Sequence, residues 1–150
     1  MKKFSFRLQT VLEIREKTLD DKRKEMAVVA ARLNEQIEIL ENIKTRQNNI
    51  KDSLMQIYNN GSQLDITEVV NYKEFLGRLI NEQKKQELLV EQFKKVFAIK
   101  QREVTEALKQ VKILEKLKET QENKFYKEIE YNEAKELDDI VSTRFRKATV

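Results

Sequence analysis

The chain contains no proline and only two glycines, Gly61 and Gly77, in 150 residues. Most β-rich and mixed domains need a turn about every ten to fifteen residues, and glycine and proline supply much of the backbone geometry at those turns. A β-sandwich, a β-barrel and a doubly wound sheet are therefore disfavoured. Charged residues make up 37% of the chain with both signs interspersed, which is typical of long helices with solvated outer faces.

One segment punctuates the sequence, starting at Asn59 and ending at Asp65. Asn and Gly tolerate the left-handed dihedrals that commonly end helices, and the Asp65 to Glu68 spacing is typical of a capping box that starts one. We therefore expect a single domain over residues 1–150. It comprises a helix over about 6–58, a turn over about 59–65, a second helix over about 66–142 and a C-terminal tail over 143–150.

Both predicted helices show a seven-residue repeat in two columns offset by three positions, the spacing that keeps one seam facing a partner helix. The columns of the first helix are Leu12, Leu19, Met26, Leu33, Leu40, Gln47 and Leu54, and then Val29, Gln36, Ile43, Ile50 and Ile57. Those of the second are Val69, Leu76, Gln83, Val90, Phe97, Val104 and Val111, and then Tyr72, Leu79, Gln86, Phe93, Lys100, Ala107 and Leu114. The predicted fold is all-α: a long antiparallel two-helix coiled-coil hairpin whose second helix is longer than its first.

Three glutamines, Gln47, Gln83 and Gln86, lie inside these columns. Two interpretations stay open: a buried polar layer that fixes the register of the helices, or solvent-exposed glutamine in a thin seam. Earlier in the first helix the second column changes to Arg15 and Lys22, so the apolar seam narrows there.

With the hairpin centred on Ser62, residue 7 lies opposite about residue 117, and the second helix continues unpaired. This overhang keeps apolar residues at helical spacing, namely Tyr126, Ile129, Leu137 and Ile140. A two-helix hairpin buries little core for its length. We therefore expect the overhang to be completed by a partner.

The composition also limits the chemistry of the chain. It has no His and no Cys, which removes the commonest general base, the thiol nucleophile and the usual zinc ligands. No phosphate-binding loop, nucleophile–base pair or metal-ligand spacing is present in the sequence. The longest apolar run, residues 26–31, is far shorter than a membrane span. We predict no enzyme activity, no cofactor, no membrane insertion and no nucleic-acid binding.

Four motifs occur in order along the chain. They are Phe-x-Phe-Arg-Leu-x-x-Val-Leu from Phe4, Asn-Tyr-x-x-Phe-x-x-x-Leu from Asn71, Leu-Glu-Lys-Leu from Leu114 and Glu-x-Lys-x-Leu-Asp from Glu133. Together with the length and the single central turn, they resemble the bacterial flagellar export protein FliJ family over essentially the whole chain.

The resemblance implies a cytoplasmic, non-enzymatic component of the flagellar type III export apparatus, similar to the coiled-coil stalk of rotary ATP synthases. The end of the hairpin made by both termini would insert into the hexameric export ATPase. A surface near the turn would contact the large membrane protein of the export gate, which places the protein at the cytoplasmic face of the inner membrane. Export chaperones are further expected partners.

The resemblance also assigns residues to two binding sites. The expected gate-binding residues are Phe75, Leu79, Ile43 and Ile50. Phe75 lies outside both seam columns, whereas the other three lie within them, and a core position is the stronger explanation for those three. The expected residues of the ATPase-ring site come from both termini and the overhang: Phe4, Phe6, Arg7, Tyr126, Ile129, Leu137, Ile140 and Arg144. For the terminal residues, a frayed tail is the alternative.

Two other functions fit the same pattern. An equivalent stalk of a virulence injectisome shares the mechanism, and only genome neighbourhood would separate the two. A generic homo-oligomeric coiled-coil scaffold is the second, although a single capped turn favours an intramolecular hairpin over a parallel dimer.

Overall fold

The computed structural model describes residues 2–60 and 65–149. Helix α1 spans Gln9–Asn59 and helix α2 spans Ile66–Thr149. The two helices pack against each other, so the predicted all-α hairpin with a longer second helix is confirmed. Residues 61–64 of the predicted turn lie outside the described residues.

The ends of the helices follow from local hydrogen bonds. The Asp65 carboxylate accepts a hydrogen bond from the main-chain nitrogen of Thr67 at 3.0 Å, which caps the start of α2 as the sequence predicts. Helix α2 continues to Thr149, beyond the expected end at about residue 142. Residues 143–149 contain no glycine or proline, and Arg146 and Lys147 in the last turn complement the negative end of the helix dipole.

The chain divides into two packed units, which are described separately. Residues 22–104 form the turn-side unit, and residues 2–21 with residues 105–149 form the terminal unit. In the turn-side unit, Leu79 is 2% exposed and packs with Ile50 and Leu54 into a core cluster. Val69, Tyr72 and Leu76 of α2 cover this cluster.

The terminal unit adds a non-helical N-terminal segment to its helix pair. Residues 2–6 are not helical, yet the Phe6 side chain is only 6% exposed and belongs to the core with Leu12 and Val111. The centre of the Phe4 ring lies 5.6 Å from the centre of the Phe125 ring.

Burial follows the heptad columns. Every apolar residue of the four predicted columns is buried or half-buried, whereas Arg15 is exposed. Contacts between the helices also follow the predicted register: Lys118 donates to Gln9 at 2.9 Å in the terminal unit, and Gln86 donates to Gln36 at 2.9 Å in the turn-side unit. Within the part of the chain that the structure describes, no helix has the length and apolar character needed to cross a membrane.

Candidate partner-binding surfaces

The first candidate surface surrounds Phe75 on α2 in the turn-side unit. Phe75 is 42% exposed, and the guanidinium carbon of Arg78 lies 5.7 Å from the centre of its ring, a cation–π distance. A shallow groove beside it is lined by Glu68, Asn71, Tyr72 and Phe75. Because Tyr72 also packs on the core cluster, one wall of this groove is anchored to the interior.

The structure separates the four expected gate-binding residues by depth. Phe75 lies on the surface, whereas Leu79 is 2% exposed and Ile43 and Ile50 are each 8% exposed. The three buried residues offer a partner almost no area in this conformation. This favours the core explanation for Leu79, Ile43 and Ile50 that the seam columns already offered.

A second groove lies next to the turn, and the sequence analysis did not identify it. Tyr58 of α1 and Ile66, Val69, Val70 and Lys73 of α2 line it. Ile66 is 76% exposed, the largest exposed fraction among the large apolar side chains described. The available signal was that Ile66 and Val70 lie one turn apart and outside both seam columns, as Phe75 does.

The aromatic residues of the N-terminus are packed within the terminal unit. Phe6 is buried and Phe4 is half-buried against Phe125, whereas Arg7 is exposed. The basic N-terminal segment therefore offers a partner its charge more than its rings.

The second candidate surface is the overhang of α2. Every residue from Glu130 through Ala148 is exposed, which makes this stretch different from the rest of the helix. Leu137 is 62% exposed, Ile140 is 51% exposed, and Arg144 is one turn further on. Among the other expected ring-binding residues, Tyr126 is 46% exposed and Ile129 is half-buried.

Two further apolar residues widen this stripe. Val141, 58% exposed, follows Leu137 by one turn, and Phe145, 70% exposed, follows it by two. The sequence analysis did not include them in the site, although their spacing from Leu137 was the signal. A shallow groove at the same end is lined by Asp139, Ile140, Thr143, Arg144 and Lys147, which combine apolar and charged groups.

Polar groups join the two helices of the turn-side unit. Gln47 is 7% exposed and donates to Gln83 at 2.7 Å, so the buried polar layer, rather than solvent-exposed glutamine, describes this position. Gln83 and Gln86 are half-buried. Where the apolar seam narrows, the side-chain nitrogen of Lys100 lies 3.2 Å from a carboxylate oxygen of Glu25 and 3.4 Å from one of Glu103.

The side-chain nitrogen of Lys22 lies 3.7 Å from a carboxylate oxygen of Glu25 and 3.6 Å from one of Glu103. These four side chains, Lys22, Glu25, Lys100 and Glu103, form a charged layer. The hydrogen bond from Lys100, with the positive charges of Lys22 and Lys100, lowers the pKa of Glu25 below its usual value. The hydrogen bond to Glu25 is the largest cause that raises the pKa of Lys100, and the hydrogen bond to Glu103 is the next largest. The shifts arise from a pair that joins the two helices, Lys100 with Glu25, and from pairs within each helix.

A capped antiparallel hairpin, with apolar surface beside its turn and along its overhang, defines a coiled-coil protein that works through protein partners. The family model described as Flagellar FliJ protein matches residues 4–149, and the chain therefore belongs to the FliJ family. This family is a structural component of the flagellar export apparatus, so protein partners and a coupling role follow from membership. Comparisons with curated proteins and with solved structures found no match.

Proposed function

We propose that this chain is the stalk of a flagellar type III export apparatus, joining the export ATPase to the export gate. The overhang of α2 binds inside the hexameric ATPase ring, and the surface around Phe75 contacts the large membrane protein of the gate. The protein itself hydrolyses nothing, and it works at the cytoplasmic face of the inner membrane. It also binds export chaperones.

The observation that carries the ring assignment is the uncovered apolar stripe at the end of α2. Leu137, Ile140 and Val141 are each more than half exposed, and Phe145 is 70% exposed. Exposed apolar stripes of this kind mark interaction sites in soluble proteins. Membership of the FliJ family supports the ATPase ring as the partner, and the flagellar system over an injectisome.

The gate assignment is supported by the form of the Phe75 surface. An exposed aromatic ring with Arg78 beside it and an anchored Tyr72 behind it combines the residue types that dominate binding energy at interfaces. The surface belongs to the turn-side unit, whereas the stripe belongs to the terminal unit. The two partners are therefore assigned to different parts of the chain.

The ring assignment is tested with Leu137→Ala and Ile140→Ala combined, measured by binding to the purified export ATPase and by stimulation of its ATP hydrolysis. Both side chains are exposed, so the variant should unfold at the temperature of the native chain. Loss of two apolar anchors should weaken ring binding by about ten- to a hundredfold, mostly through faster dissociation. Stimulation should fall in parallel.

A matched control uses one leucine and one isoleucine that are also exposed but lie away from the overhang. Leu88 is 67% exposed and Ile113 is 60% exposed, and their combined replacement by alanine should leave ring binding unchanged. Full stimulation by the Leu137→Ala/Ile140→Ala chain, or equal loss with the control chain, would contradict the ring assignment.

A further inference from the structure

The exposed end of α2 carries its charges in two blocks around the apolar stripe. Six of the seven charged residues within 128–139 are acidic, and three of the four residues 144–147 are basic. Leu137 lies near the end of the acidic block, Ile140 and Val141 lie between the two blocks, and all three are exposed. A helix with an acidic half, an apolar centre and a basic half is complementary to a second copy of itself that runs in the opposite direction.

The spacing of the residues fixes how such a pair would align. Residues 130, 137 and 144 lie seven apart in one column, and residues 133, 140 and 147 lie seven apart in a second column three positions on. This is the offset of a coiled-coil seam. We propose that this stretch is a self-association surface, on which α2 pairs with the same stretch of a second copy of the chain in antiparallel orientation.

In the antiparallel pair, Leu137 of each copy lies opposite Ile140 of the other, which forms two apolar layers at the centre. Glu133 lies opposite Arg144, and Glu130 lies opposite Lys147, on both sides of that centre. All six side chains are exposed in the single chain, so each is accessible to a second copy. Every layer of the seam is therefore either apolar or a pair of opposite charges.

Other alignments lose this complementarity. A shift by one heptad places Leu137 opposite Glu133 or Lys147, which removes both apolar layers. A parallel pair in register places Glu130 and Glu133 against their own copies, and Arg144 and Lys147 likewise. Like charges facing each other at seam positions are destabilising. The antiparallel register is favoured by the apolar and the charged residues together.

The pairing has a consequence for ring binding, which rests on the function proposed above. Leu137 and Ile140 serve both surfaces, so a chain paired through this stretch cannot present them to the ATPase. The seam holds only two apolar layers, and the association is therefore weak. The fraction of chains that are paired then depends on the protein concentration. Excess stalk protein would pair with itself, and dilution or the ring would separate the copies.

Sedimentation equilibrium of the full chain tests the pairing without any partner. Glu133→Arg alone and Arg144→Glu alone each replace two attractive pairs by two repulsive ones. We expect each to weaken the dimer by about tenfold or more. An equimolar mixture of these two variants restores opposite charges at both pairs, and it should form a heterodimer at least as readily as the native chain forms its dimer.

The matched controls are Glu128→Arg and Lys135→Glu, which make the same changes of charge on the opposite face of this helix. They should dimerise like the native chain, and circular dichroism should show equal helix content throughout. A native chain that stays monomeric at several hundred micromolar would overturn the proposal. So would single variants that dimerise normally, or a mixture that associates no better than its components. None of these readings involves the ATPase, so they are independent of the ring assignment.

Discussion

The side-chain nitrogen of Gln47 donates a hydrogen bond to the main-chain carbonyl oxygen of Leu79 across the helix pair, at 3.2 Å. The same nitrogen donates to the side-chain oxygen of Gln83 at 2.7 Å. Leu79 is 2% exposed and Gln47 is 7% exposed, so this polar contact lies in the core of the turn-side unit. It links α1 to both the main chain and a side chain of α2, and thereby fixes which layers of the two helices meet.

A double-mutant cycle on Gln47→Ala and Gln83→Ala should reveal this link as a coupling energy. Gln47→Ala removes both donated hydrogen bonds and leaves a gap, so we expect a loss of about 2–3 kcal/mol in the free energy of unfolding. Gln83→Ala should cost less because Gln83 is half-buried. The coupling between them should be about 1 kcal/mol in urea denaturation. Pairing Gln47→Ala with the exposed Gln92→Ala should give additive losses; equal coupling in both cycles would show that no specific contact exists.

The charged layer predicts how stability changes with pH. The folded-state pKa of Glu25 is lowered, so its stabilising contribution is complete above the unfolded value of about 4.3 and is lost as the pH falls through the lower folded-state value. The folded-state pKa of Lys100 is raised, so its contribution is complete below about 10.4 and is lost as the pH rises through the higher value. Glu25→Gln should therefore lower the melting temperature between about pH 5 and 9, and less so in high salt.

The difference between Glu25→Gln and the native chain should narrow below about pH 4, where protonation removes the same charge. Glu38→Gln is the matched control, because Glu38 is an exposed glutamate of α1 outside the charged layer. Melting curves across pH for the three chains make the comparison. A constant difference between Glu25→Gln and the native chain down to pH 2 would contradict the prediction.

The heptad columns were enough to predict the fold because nearly every seam position is apolar and therefore indicates the same buried face. Apolar residues at seven-residue spacing can be buried only along one stripe, and a single capped turn forces the two stripes to face each other. The N-terminal segment was less predictable. Phe6 precedes α1 and lies outside any repeat, so its burial depends on tertiary packing that no local pattern encodes.

The candidate surfaces were predictable in part, for related reasons. Phe75 was assigned through the family resemblance, and its position outside both columns distinguished it from the seam residues. Leu79 is both a motif residue and a seam residue, and the sequence alone could not separate these roles; its burial does. Val141 extends the overhang stripe only because the first helix has ended opposite it, which depends on where the paired region stops.

Gly77 offers a test of the helix itself. It lies within α2 and is exposed, and a Cβ added there meets no atom within 4 Å. Gly77→Ala should raise the free energy of unfolding by about 0.5–1 kcal/mol, because alanine loses less backbone entropy in a helix and fits without contact. Thermal and urea denaturation measure the gain. A loss of stability would mean that the helix around Gly77 departs from regular geometry.

Phe75 and Leu79 lie one turn apart on α2 but should behave oppositely when each is replaced by alanine. Leu79→Ala deletes a fully packed side chain of the core and should lower the free energy of unfolding by about 2–5 kcal/mol. Phe75→Ala truncates a side chain that is 42% exposed, so stability should change by less than about 1 kcal/mol. Binding of the purified cytoplasmic part of the gate protein should nevertheless weaken by about tenfold or more, because an aromatic anchor is lost.

Leu89→Ala, at 36% exposure on the same helix, is the control for truncating a half-exposed apolar residue and should bind normally. Calorimetric titration of each folded chain with the gate protein measures the affinity, and unchanged binding by the Phe75→Ala chain would remove this surface from the gate interface.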